Sequence, residues 1–252
     1  MSFKDTLMSI NYNGYNPNHK SFWNNLDDMD LKELADKIIK LTESLKSDIQ
    51  NKINLRQRFE FTIVHKDNFS IWRNEEALER AIVAKNKEIY FNQINLKKGS
   101  KENIDLIKID DKELTIYELK AENGKDTPLF ALIELLKNYY LFKNSQIDDE
   151  RVINKTIKLS ILAPKEYYDN FSKNKLLVKF IELCTIIQNE LGIDILIQEV
   201  AINSNDIKNK IDSNYTNDWN EDKRKIKENE LKDIIKKLHI EILDIKCESE
   251  DI

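Results

Sequence analysis

Glycine and proline are scarce in this 252-residue chain, four and three residues respectively, and none of the glycines builds a phosphate-cradling loop. Cysteine is equally sparse. Cys184 and Cys247 lie far apart with no CxxC pair, and three histidines (His19, His65, His239) make no zinc pattern. Two free thiols in a reducing cytosol are the expected state. Ser-His-Asp and HExxH arrangements are missing too, which removes the common hydrolase signatures. No apolar run approaches the length of a membrane span, and the N-terminus lacks the basic-then-apolar layout of a signal peptide. The sequence therefore predicts a cytoplasmic protein with no membrane partner. An excess of basic charge is also lacking: the net charge is -5. Gripping nucleic acid by global charge is thereby disfavoured, while a local basic groove remains open.

What is present is a chain 34% charged and 40% hydrophobic, with both signs interspersed, long enough for one domain with additions or two small ones. Residues 1–70 read as an N-terminal addition. An Asn-rich arm carries Tyr12, Tyr15, Phe22 and Trp23. Asp30 then caps an amphipathic helix to about residue 52, marked by Leu31, Leu34, Ile38, Leu41 and Leu45, and "RFEFTIVHKDNFSIW" reads as a hairpin. Residues 71–203 read as the core. Asn74 caps a helix over "EEALERAIVAK". Three strands follow, "EIYFNQINL", "NIDLIKI" and "LTIYELKA". Thr127 and Pro128 start a helix apolar almost all round, so buried, and "TIKLSILA" is a fourth strand. Beyond these lie an amphipathic helix over 171–191, a fifth strand, and a charged tail over 204–252 with a helical pattern from about 220 to 245. Short links make the first three strands an antiparallel meander. The helical crossover lets the fourth lie parallel to one of them. The expected fold is α/β, a mixed central sheet flanked by helices in the order αβββαβ.

Strand parity concentrates chemistry on one face. On "LTIYELKA", Ile116, Glu118 and Lys120 point to the same side. Asp105 lies on the preceding strand. A turn at Asp110-Asp111 puts it opposite Ile116, and a turn at Asp111-Lys112 puts it opposite Glu118. Either register brings it to the side of Glu118 and Lys120. An ordinary central strand would not carry that charge, because burying it unpaired costs about several kcal/mol or more. Two carboxylates make a hard oxygen site suited to Mg²⁺ or Mn²⁺, ions that keep waters and accept phosphate oxygens. A lysine beside them can orient a water or neutralise developing charge.

With this element order, the stretch from about 71 to 164, and "NIDLIKIDDKELTIYELKA" in particular, resembles the PD-(D/E)xK nuclease superfamily with its restriction-endonuclease-like fold. The resemblance implies divalent-metal hydrolysis of phosphodiester bonds, usually in DNA. By position it makes Asp105 and Glu118 metal ligands and Lys120 the catalytic lysine. Two departures stand out: Ile104 replaces the family's proline, and the second core helix has no glutamine. That helix instead carries Glu134, its sole acid, followed by Tyr139 and Tyr140. A lone carboxylate on a buried helix needs a partner, whether Lys120, a metal-bound water or Lys137. On the first core helix, Glu75 and Glu79 are candidates for the metal's outer shell or are solvated first-turn acids. The expected function is a metal-dependent nuclease in defence, restriction or repair. The alternative is an inactive module of the same fold that binds protein or nucleic acid. The tail is the candidate surface for a homodimer or partner protein.

Overall fold

A computed structural model of the chain describes residues 19–44, 52–55, 57, 74–96, 103–171, 175–212, 233 and 236–245. Helix α1 (His19–Asn24) and a 3-10 turn (Leu26–Asp28) lead into α2 (Leu31–Ser44). The Asp30 carboxylate caps α2, accepting from the amides of Lys32 at 2.9 Å and Glu33 at 3.0 Å, as the sequence predicts. A short strand β1 (Lys52–Ile53) stands where the tail of that helix was expected. Then come α3 (Asn74–Lys85), β2 (Tyr90–Asn95), β3 (Asn103–Ile109), β4 (Glu113–Leu119), α4 (Pro128–Lys143), β5 (Gln146–Ile147) and β6 (Thr156–Ala163). The short α5 (Lys165–Asp169), α6 (Leu176–Leu191), β7 (Ile195–Val200), α7 (Ser204–Asp212) and β8 (Ile242–Asp244) complete the order.

Among the described residues the main sheet is six-stranded, in the order β2-β3-β4-β6-β7-β8. The meander β2-β3-β4 is antiparallel, while β6 lies parallel to β4, reached through α4. The expected mixed sheet with flanking helices is thus present. Its two faces bury separate cores. The larger is covered by α2, α4 and α6, with Phe130, Phe142 and Phe180 fully buried. Trp23 of the arm joins it, packing edge-on against Phe171 at 5.7 Å and against Phe180 at 5.6 Å. The smaller core lies under α3 and α7, around Leu78, Leu106, Tyr117 and Ile207.

Helix α4 is central because it is apolar on almost every side. Pro128 starts it, and the Thr127 hydroxyl accepts from the Phe130 amide at 3.3 Å. Each large apolar side chain it buries contributes about 1.5–3 kcal/mol, so its position under β4 and β6 is firmly set.

Several elements depart from the sequence reading. Around residues 220–245 a helical pattern was expected, yet residues 242–244 form the edge strand β8, antiparallel to β7. Three residues carry too little periodicity to announce a strand; the unpaired edge of β7 recruits them. Helix α7 was not foreseen, nor was the parallel pairing of β1 with β5. Leu238 packs on the smaller core. Residues 1–18 of the arm, the hairpin at 58–72 and most of the proposed tail helix lie outside the described residues, while the arm's residues 19–28, expected to be irregular, form α1 and the 3-10 turn. Among those described, no helix is long and apolar enough to cross a membrane.

Candidate active site

The hairpin register decides where Asp105 lands. Leu106 pairs with Tyr117 and Ile109 with Leu114, so the turn residues are Asp111 and Lys112, the second of the two anticipated registers. The Asp110 amide closes the turn on the Glu113 carbonyl at 2.9 Å. Extending this register puts Asp105 opposite Glu118. There the backbone ladder ends, and the Leu119 amide donates to the Asp105 carboxylate at 3.0 Å. On its other side β4 remains zipped to β6, with the Lys120 amide donating to the Leu162 carbonyl at 3.0 Å. The sheet therefore opens between β3 and β4 while β4 itself stays anchored.

A second irregularity creates that opening. The cross-strand partners Phe91 and Ile107 belong to the larger core, and so do the partners Ile94 and Ile104, three residues further along each strand. Residues three apart on a regular strand face opposite sides. Both strands therefore turn over between these pairs, at Gln93 and Asp105, which the register places face to face. Gln93 has a φ of 51°, the left-handed region that costs a residue with a side chain about 1–3 kcal/mol. The twist frees Asp105 to aim at the end of β4.

At that end Lys120 is the hub. Its ammonium donates to Glu118 at 2.8 Å and to Glu134 of α4 at 2.9 Å. Lys120 and Glu118 are each 5% exposed, whereas the Glu134 side chain keeps 22% of its surface. One turn after Glu134, the Asn138 amide donates to the other Glu118 oxygen and to the Asn103 carbonyl, each at 3.4 Å. Burial works against the charge on Lys120, but Glu118 and Glu134, then Glu75 and Asp105, hold its pKa well above the ordinary lysine value. Burial also drives Glu118 well above the carboxylate range; Lys120 opposes this, while Glu134 and Asp105 reinforce it. Asp105 rises to about 7 for the same reason, with Lys120 pulling the other way and Glu75 adding to the rise. One ammonium does not offset this many carboxylates.

The two helix acids approach from α3, across the opening. Glu75 is exposed at the rim. Its carboxyl is raised by desolvation, against the pull of Lys120, with solvent screening the interaction. Glu79 is 2% exposed and held by two amides, Asn92 on one oxygen and Gln93 on the other, both at 2.5 Å. Burial raises it to about 8, and the Asp105 charge adds to the rise. Asp126, at the end of the loop after β4, is raised by partial burial and also feels Lys120. Gly124 packs that loop closely: an added Cβ would lie 3.0 Å from the Ala121 carbonyl and 3.3 Å from the Tyr167 ring.

All six residues singled out from the sequence, Asp105, Glu118, Lys120, Glu134, Glu75 and Glu79, thus gather at one opening. Of the two lysines considered as partners of Glu134, Lys120 is the one it binds. Sequence reasoning missed Asn138, Asn92, Gln93 and Asp126. Asn138 carried a usable signal, a second polar residue four positions after Glu134 on an apolar helix. So did the Asn92-Gln93 pair, which interrupts the alternation of "EIYFNQINL". Among other lysines of the chain, Lys97, Lys98, Lys101 and Lys173 lie outside the described residues, and Lys179 pairs with Glu182 on α6. Among the described residues, no three His, Cys, Asp or Glu side chains are grouped to enclose a metal ion. A cation here would rest on two carboxylates and complete its shell with water and ligand oxygens.

No protein-family model, curated protein or solved structure matches the chain.

Proposed function

We propose that the chain is a divalent-metal-dependent nuclease with a restriction-endonuclease-like core of the PD-(D/E)xK type, acting on DNA in the cytoplasm. The observation that carries this reading is the convergence of Asp105, Glu118 and Lys120 where β3 and β4 part, with Glu134 also holding the lysine. The donor set fits Mg²⁺ or Mn²⁺. Asp105 and Glu118 supply hard oxygens; burial first, and neighbouring carboxylates after it, raise their pKa values, and a dication would favour their charged forms. When bound, such an ion makes a nucleophile of water near neutral pH and offsets phosphate charge. Asp105 and Glu118 fix its place through their contacts to the Leu119 amide, Lys120 and Asn138. Lys120 stays protonated and offers its ammonium to the attacking water or to a phosphate oxygen. Glu134 limits its swing.

The test uses near-isosteric variants. Asp105→Asn keeps an acceptor for the Leu119 amide but loses the charge; Lys120→Met keeps the volume. Both should retain the circular dichroism spectrum and lose Mg²⁺- or Mn²⁺-dependent cleavage of plasmid DNA by about a hundredfold or more. Equal cleavage by wild type and both variants would refute the proposal. The second reading is a nuclease-fold module that binds without cleaving. The acidic rim of Glu75, Asp126 and Glu134 favours it, because it repels polyanions. Calorimetry showing no Mn²⁺ binding to the wild type would decide for that reading.

A further inference from the structure

The nuclease reading leaves unexplained a strained glutamine in the middle of an edge strand. Gln93 sits at a φ of 51°, a conformation in which glycine, asparagine or aspartate is usual. Its neighbour Asn92 precedes the twist. In a regular strand the two side chains would point to opposite faces. Here both amides reach the same carboxyl, that of Glu79. The left-handed residue is what makes the shared grip possible.

That grip has an obvious cost and no evident benefit to packing. It places a carboxyl at 2% exposure, and a glycine at 93 would adopt the same backbone without strain. Strain of this kind persists where the surroundings over-determine it, typically beside a functional group. The neighbour in question is Asp105, which the pairs on either side place across from Gln93 at the break in the ladder, and at which β3 turns over. Glu79 of α3 holds Asn92 and Gln93 at the twist, and across from it the Asp105 carboxylate accepts from the Leu119 amide.

We propose that Gln93 is a positioning residue: clamped to Glu79, it enforces the twist that aims Asp105 into the metal-binding site. The role rests on the nuclease reading and adds a residue to it. Gln93 touches neither substrate nor metal; it acts through the strand geometry. Its contribution should therefore show in metal affinity and turnover while DNA binding is untouched.

The experiment compares wild type, Gln93→Gly and Gln93→Asn. Glycine accepts the left-handed backbone but releases the clamp. Asparagine also tolerates that backbone and keeps an amide one methylene shorter. Mn²⁺ alone is titrated by calorimetry, and plasmid cleavage is measured over a range of DNA concentrations. Gln93→Gly should melt within a few degrees of wild type, bind Mn²⁺ about tenfold more weakly and lose about tenfold in kcat, with KM for DNA unchanged. Gln93→Asn should recover part of both losses. Wild-type Mn²⁺ affinity and kcat in Gln93→Gly would overturn this inference alone. A glycine variant that loses the fold, beside an asparagine variant no better in Mn²⁺ affinity, would overturn it as well, by making the role purely structural. A wild-type protein that neither binds Mn²⁺ nor cleaves DNA would overturn the nuclease reading, and the inference with it.

Discussion

Lys120 is held by two carboxylates at 2.8 and 2.9 Å, and Glu118, Asp105 and, beside Asp105, Glu79 carry pKa values above their ordinary range because they are buried. This has a consequence for stability. A carboxyl whose folded pKa is raised binds protons more readily in the native than in the unfolded state. Its stabilising share is complete below the unfolded pKa and is lost as pH rises through the folded one. For Asp105 the window runs from its ordinary value near 3.8 to about 7, and for Glu79 from near 4.5 to about 8. The metal-free protein should therefore lose stability, on the order of a few kcal/mol, between pH 5 and 8. Urea denaturation in the presence of a chelator measures this, and Asp105→Asn should flatten the slope. A protein that grows more stable over that range would contradict the assignment. Saturating Mn²⁺ should oppose the decline, since a ligand bound only by the native state adds to its stability.

At the scale of elements, α4 is the support on which the site depends. It brings Glu134 and Asn138 to β4 on successive turns, and its position is fixed by apolar packing rather than by those polar groups. Its N-terminus relies on Thr127, fully buried, whose hydroxyl meets the Phe130 amide. Thr127→Ala should cost about 1 kcal/mol, seen as a lower urea midpoint with an unchanged m-value. An unmoved midpoint would show that the cap contributes nothing. The β3–β4 hairpin shows the complementary behaviour. Its pairing is regular from Leu106 to Ile109 and stops where a side chain, Asp105, takes over the Leu119 amide. The ladder gives up a backbone pairing there and gains an opening lined by charge.

For the molecule as a whole, the charged cluster lies toward one side of the sheet and β8, the last strand among the described residues, closes the other. Strand β8 covers β7, with the Ala201 amide donating to the Glu241 carbonyl and the Ile245 amide to the Ile197 carbonyl, both at 2.9 Å. The buried serine at the start of α7 ties the same region to the site strand: the Ser204 hydroxyl and amide donate to Glu122, two residues beyond Lys120. Ending the chain after residue 239 should expose the β7 edge and produce concentration-dependent association, detectable by light scattering. Cleavage per folded molecule should persist, because no site residue lies on β8. A truncated protein that stays monomeric at high concentration would show that β8 does not guard the edge.

The sequence by itself determined the components that depend on local spacing. Period-two alternation put Glu118 and Lys120 on one side of a strand, an Asp-rich turn bracketed the register to two choices, and an apolar helix with one acid pointed to a buried partner. Caps at Asp30 and Thr127 were legible because capping is a contact between near neighbours. Tertiary structure decided whatever depends on chain segments far apart. It selected the Asp111-Lys112 turn, which seats Asp105 opposite Glu118. It chose Lys120 as the partner of Glu134 and added Asn138 to the same group. It also turned β2 and β3 over at Gln93 and Asp105, so that acids from α3 on one face and α4 on the other meet at a single opening. The Asn92-Gln93 pair interrupts the alternation of β2, but that break does not encode the direction of the twist. The twist exists because Glu79, brought in by α3, holds Asn92 and Gln93 together against the natural alternation of the strand.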